Sequence, residues 1–218
     1  MSILRKRVST ETKGGLDTMP VLFSEGIIGL LNLRSRWMRS ATAERLANPR
    51  GIPMPQLPLL QTGLVRGSIG LSVSGYLYVS GKKNALPGML AIDPDVCVDP
   101  LQQIARAMHT DGGQIPGQTN HEWMEPAPKI GPPLGKRLLS GLGQAGTTRC
   151  VATGGESARR CLKTGFAVVQ THSAKWPSGS QFLLLRINSR ADERGRAMAG
   201  RMRFVREVCR KVRDGAEP

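Results

Sequence analysis

Aromatic side chains are scarce in this sequence: four Phe, two Tyr and three Trp, 4% of 218 residues. The core must therefore be mostly aliphatic and thinly packed. Acids are scarce too, 16 Asp and Glu against 31 Lys and Arg, for a formal charge of +15. That balance suits nucleic acid or an acidic surface. No recognition motif or interleaved stacking aromatics accompany it, so nucleic acid is not an expected partner. No apolar run approaches the length that spans a bilayer, and no membrane contact is expected. Cys97, Cys150, Cys161 and Cys209 form no Cys-x-x-Cys pair and have no histidine at ligand spacing. That pattern excludes a zinc finger or ribbon; no metal is expected, and the thiols suit a reduced, cytoplasmic protein. The basic start (Arg5, Lys6, Arg7) leads into polar residues rather than an apolar segment, so no secretory signal is read. Residues 1–18 are expected to be a disordered leader and residues 19–218 one domain.

Four short runs carry strand character. They fall near residues 36–40 (Trp37-Met38-Arg39), 69–75 (Ile69 to Gly75), 114–120 and 166–171, the last opening with Phe166-Ala-Val-Val169. Helices are predicted between them: a weak one over Leu59–Arg66 and a clear one over Pro100–His109. The latter has Leu101, Ile104, Ala105 and Met108 on one face and Gly112-Gly113 behind it. A third covers Glu156–Lys163, stopped by Gly165, and a basic amphipathic helix closes the sequence. Pro116-Gly117 conflicts with the third strand, because proline removes a ladder donor and glycine loosens the backbone. Residues 126–153, rich in Gly, Pro and Lys/Arg, are expected to be a loop. They include Gly141-Leu-Gly143-Gln-Ala-Gly146, which fits G-x-G-x-x-G but lacks the preceding strand and following acid of a dinucleotide site. The alternation predicts four parallel strands in chain order with helices outside. Chemistry in such folds sits at the strands' C-terminal tips, here Gln118-Thr-Asn120 and Gln170-Thr-His172.

The stretch from Gln170 to Phe204 is specific. Gln170-Thr171-His172 is followed by Ser180-Gln181-Phe182-Leu183, then Asn188-Ser-Arg190-Ala-Asp192-Glu193-Arg194-Gly195, then Arg201-Met202-Arg203-Phe204. In spacing it resembles the fourth-strand region of the old yellow enzyme family, the FMN-dependent ene-reductases and NADH:flavin oxidoreductases. Val21-Leu22-Phe23, Ile28-Gly29 and Leu31-Asn32-Leu33 resemble the family's N-terminal hairpin. The resemblance implies a partial (β/α)8 TIM barrel, about its first four β/α units. It also implies FMN-dependent reduction of activated alkenes or similar small acceptors by NAD(P)H. His172 and Lys175 would donate hydrogen bonds to the substrate oxygen. Ala41, Thr42, Ala43, Gly75 and Gln118 would meet the flavin, Gln118 at its pyrimidine edge. Lys175 stands where the family has His or Asn, Pro177 where it has Tyr, and Arg194 and Arg196 where it has Tyr and Gly. Pro177 has no side-chain proton to deliver.

A complete barrel takes about 250 residues, so the chain reads as the first half of one. Two expectations follow: a homodimer that completes the barrel, and FMN held weakly or not at all, because the phosphate grip of such barrels lies in their seventh and eighth units. A catalytically inactive remnant and a basic nucleic-acid-binding module on a barrel fragment stand as alternative readings. The eight basic residues Arg194, Arg196, Arg201, Arg203, Arg206, Arg210, Lys211 and Arg213 are expected to form a solvated helix face rather than a phosphate site.

Overall fold

Gly29, at a φ of +57°, turns β1 (Gly26–Ile28) back onto β2 (Leu31–Leu33), an antiparallel hairpin with Ile27 opposite Asn32. The positive φ is one glycine adopts without strain. The structure is a computed structural model that describes residues 21–79, 87–93, 95–120, 142–173 and 178–217. The expected leader lies outside them.

Beyond the hairpin the named strands run parallel. β3 (Met38–Arg39) lies beside β4 (Leu71–Ser72), and Leu71 bridges to Gln114. β5 (Tyr76–Tyr78) has β6 (Leu90–Ala91) on one side and β7 (Gly117–Asn120) on the other, and β8 (Val169–Thr171) follows β7. The four predicted strands therefore appear in the predicted order and sense. Two details differ. The second strand breaks at residues 73–75, where the Ser74 N–H donates to the Pro116 carbonyl at 2.9 Å, and it resumes as β5. Across that break its outer neighbour changes from β3 to β6. β6 itself is a strand beyond the four predicted. Its buried run Met89-Leu-Ala-Ile92 is too short for any periodicity to show.

α1 (Gln56–Arg66) begins three residues before its predicted start and buries Leu57, Gln61 and Val65. α2 (Val98–Thr110) buries the four apolar residues assigned to its inner face. α3 (Gln144–Lys163) corrects the sequence reading: residues 144–153 are helix, not loop. Gly143, extended at ψ 174°, starts it, so the glycine motif marks a helix entry. The inner stripe is Thr147, Cys150, Val151, Gly154 and Ser157. These small residues gave no hydrophobic signal. Gly165, at φ +79°, follows the helix as predicted.

α4 (Ser178–Leu183) and α5 (Met198–Ala216) complete the chain. α5 crosses α3 backbone to backbone. A Cβ on Gly215 would collide with the Gly155 carbonyl, and one on Gly155 would stand 2.9 Å from the Lys211 carbonyl oxygen. Gly117 answers the conflict seen in the third strand. β7 begins there, after Pro116, and a Cβ on Gly117 would lie 2.6 Å from the Phe166 ring and 3.0 Å from Cys161 Sγ. The glycine is what lets α3 close on the sheet.

The main core lies between the sheet and α1, α2 and the end of α3, with Leu77, Ile92, Leu101, Met108 and Ile115 fully buried. A second cluster holds Cys150, Val151, Phe182 and Phe204, its two rings stacked 4.1 Å apart. The basic face of α5 is not uniformly solvated as expected. Arg194 is buried against Glu207 at 3.0 Å, and buried Arg201 donates to the Leu183 and Arg196 carbonyls. No described helix is long and apolar enough to cross a membrane.

Candidate functional site

Register decides which side chains can meet, because residues opposite one another on neighbouring strands share a face. Tyr76 pairs with Gln118, and Gln118 with Gln170. Leu77 and Gly117 on the other face pack toward Cys161 of α3, so the Tyr76–Gln118–Gln170 row faces away from the helices. Gln118 is 7% exposed. Its Nε2 donates to Gln170 Oε1 at 2.6 Å and its backbone N–H to Ser74 Oγ at 2.9 Å. Among the described residues its Oε1 is buried without a partner, and so are both amide atoms of Asn120, two residues on and 1% exposed. Leaving such groups unpaired costs about 1–3 kcal/mol each, so packing alone gives no reason to keep them there.

His172 follows β8. Its backbone N–H donates to the Thr119 carbonyl at 2.9 Å, and its imidazole packs on the Tyr76 ring with centroids 4.8 Å apart at 38°. Of the first-strand residues, Ala41 packs beside Leu33, Leu71 and Val73. Thr42 and Ala43 are exposed. A Cβ on Gly75 would stand 2.5 Å from Glu44 Oε2 and 3.0 Å from the Thr42 carbonyl oxygen. Glu44 is itself held by Arg39 at 2.7 Å. The space that glycine leaves is thus filled by the first strand's own tip. A cavity of about 20 Å³ is lined by Ala43, Glu44, Gly75, Tyr76 and Met89. Another of about 30 Å³ lies between His172, Thr119, Thr171 and the α3–α5 pair.

Gln118, Tyr76 and His172 thus come together, and Ala43 and Gly75 join them through Tyr76. Ala41 turns instead to the small apolar cluster. Lys175 and Pro177 lie outside the described residues. Sequence reasoning missed Tyr76, Asn120 and Gln170 as site residues. A signal was present: Gln-Thr-polar occurs at 118–120 and again at 170–172, and the register sets Gln118 against Gln170 and Thr119 against Thr171.

The Asn188–Arg194 motif is a brace. Buried Asn188 donates to the Phe182 and Arg194 carbonyls at 2.7 and 2.8 Å. Arg190 pairs with Asp192, reaches the Leu142 carbonyl and lies 5.7 Å over the Phe182 ring. Hydrogen bonding from Arg190 holds the Asp192 carboxyl below its usual range. Burial pushes the Cys161 thiol up to about 12, leaving it without thiolate character. Among the described residues no cluster of His, Cys, Asp or Glu could hold a metal ion.

Residues 145–217 match the NADH:flavin oxidoreductase / NADH oxidase family. Over that stretch the chain is similar to the NADH:flavin oxidoreductases. It is 29% identical, over 89% of its length, to an NADH oxidase of Thermoanaerobacter brockii, of which it spans 32%. It is 25% identical, over 90% of its length, to the 4,4'-dithiodibutanoate disulfide reductase of Rhodococcus erythropolis, of which it spans 51%. Among solved structures, the old yellow enzyme homologue of Zymomonas mobilis superposes with a TM-score of 0.77 at 24% identity, covering 90% of this chain and 61% of that one. The Old Yellow Enzyme of Pichia sp. gives 0.79 at 17% identity, covering 90% and 57%. These likenesses establish the fold as part of a TIM barrel.

Proposed function

We propose that the chain is an FMN-dependent oxidoreductase of the old yellow enzyme type, reducing small activated alkenes or similar acceptors with NAD(P)H. The observation that carries this reading is the set of unused polar atoms on the face away from the helices. Gln118 Oε1 is a free acceptor, and Asn120 offers a donor and an acceptor. That set complements a ring edge of alternating C=O and N–H, as the flavin pyrimidine has. Bound flavin would supply hydride transfer. Gln118 would hold its edge, with Ala41, Thr42, Ala43 and Gly75 at the first- and second-strand tips beside it.

His172 donates to the carbonyl or nitro oxygen of the acceptor, stabilising the charge that develops there. Lys175 supplies a second donor. The cavity beside Tyr76, about 20 Å³, is far below the several hundred Å³ of a usual ligand pocket. Flavin must therefore displace side chains to enter, and the isolated chain holds it weakly. Two copies of the chain, each with a free edge at β3 and at β8, pair to close an eight-stranded barrel.

Titration of FMN fluorescence tests the reading. Saturable quenching that is lost in Gln118→Leu is expected. Where NADH-driven enone reduction is measurable, His172→Ala should lower it on the order of a hundredfold. Quenching that never saturates, or that Gln118→Leu leaves intact, overturns the assignment.

A further inference from the structure

Tyr76 touches both halves of the candidate site. Its ring lies on the His172 imidazole, and it lines the cavity shared with Ala43, Glu44 and Gly75. It is half-buried, and among the described residues none exchanges a hydrogen bond with its hydroxyl. Tyr78, the other tyrosine of β5, is different: it is buried, and its hydroxyl points to the Arg50 carbonyl at 3.5 Å. The fold uses one phenol and leaves the other unused.

We propose that Tyr76 and His172 form a phenol–imidazole pair that binds a single oxygen atom of the acceptor, with the Tyr76 O–H as a further donor beside the imidazole. This rests on the functional reading above. The neighbouring groups do not offer the same donor. Glu44 is tied to Arg39, Thr42 Oγ1 already donates to the Ser40 carbonyl at 3.2 Å, and the Asn120 amide is assigned to the flavin edge. The ring contact also fixes the plane of the imidazole, since tilted ring pairs at this separation are attractive. Tyr76 is therefore a binding residue through its hydroxyl and a positioning residue through its ring. The ligand class is a planar acceptor with one exposed carbonyl or nitro oxygen, because both groups present directional N–H or O–H donors.

The test uses the full chain, 2-cyclohexen-1-one as probe, and NMR to read both probe binding and the His172 imidazole signals. Tyr76→Phe keeps the ring and removes the hydroxyl. It should weaken binding roughly three- to tenfold, the loss of one neutral hydrogen bond, with the imidazole signals in place. Tyr76→Leu should weaken binding at least as much and also move the imidazole signals. Wild-type affinity in Tyr76→Phe overturns the phenol's role while leaving the functional reading standing. A wild type that does not bind the probe overturns the reading of the site and this pair with it.

Discussion

Asn120→Leu should make the protein more stable. Asn120 is 1% exposed, and among the described residues neither its Nδ2 nor its Oδ1 has a partner. Each unpaired buried group carries a desolvation cost of about 1–3 kcal/mol, which an apolar side chain of similar shape removes. Leucine has the branched shape and heavy-atom count of asparagine but bulkier methyl groups, so overpacking offsets part of the gain. Taking the lower bound for both atoms gives about 2 kcal/mol. For a chain of this length that corresponds to roughly 4–8 °C in Tm. Urea unfolding followed by far-ultraviolet circular dichroism reads it as a higher midpoint at unchanged slope, the signature of a change in stability alone. The same variant should lose saturable FMN quenching, because stability gained at a functional site is commonly lost from function. A lower midpoint in Asn120→Leu would refute the reasoning, since it would mean that the amide is satisfied in solution and holds the sheet together.

Two further outcomes are expected. Sedimentation should show dimers of the 218-residue chain, held together more strongly as salt screens the +15 charge, because β3 and β8 each lack a second strand partner among the described residues and open edges seek pairing; a monomer at all salt concentrations would refute barrel closure. The Asp192 carboxyl, held low by Arg190, contributes stability that is present above the unfolded pKa of about 3.9 and is lost as pH falls through the lower folded value; Asp192→Asn should flatten thermal stability against pH in that window, by a modest amount because the side chain is 40% exposed, and an unchanged profile would count against the Arg190 pairing.

The strand order was legible because Phe166-Ala-Val-Val169 and Ile69-Gly-Leu-Ser-Val73 are compact apolar runs bounded by glycine. α2 was legible because its four inner residues are large enough to show a period. The start of α3 was not. Its inner face is Thr147, Cys150, Gly154 and Ser157, residues chosen for close approach to α5, and close approach leaves no hydrophobic stripe to count. Gln118 and His172 were found through resemblance, and the register places Gln118 in the row that faces away from the helices. Tyr76 could not be placed beside His172 from the sequence. The contact depends on the break at residues 73–75, which carries the second strand beyond its expected end at Gly75.

The two apolar clusters meet along a single helix. Cys161, near the end of α3, belongs to the main core, whereas Cys150 and Val151, eleven and ten residues earlier, belong to the cluster with Phe182 and Phe204. α3 is therefore anchored at one end to the sheet and at the other to the cluster it forms with Phe182 of α4 and Phe204 of α5. Native-state fluctuations need not respect the helix as a unit: the first half of α3, α4 and α5 can open together while the last turns of α3 stay seated on the sheet. The cavity beside His172 lies on that seam, lined by Cys150, Gly154 and Phe204 from the helices and by Thr119 and Thr171 from the sheet. A ligand space about 30 Å³ at rest can thus widen at the free energy of a local opening rather than that of unfolding the whole protein.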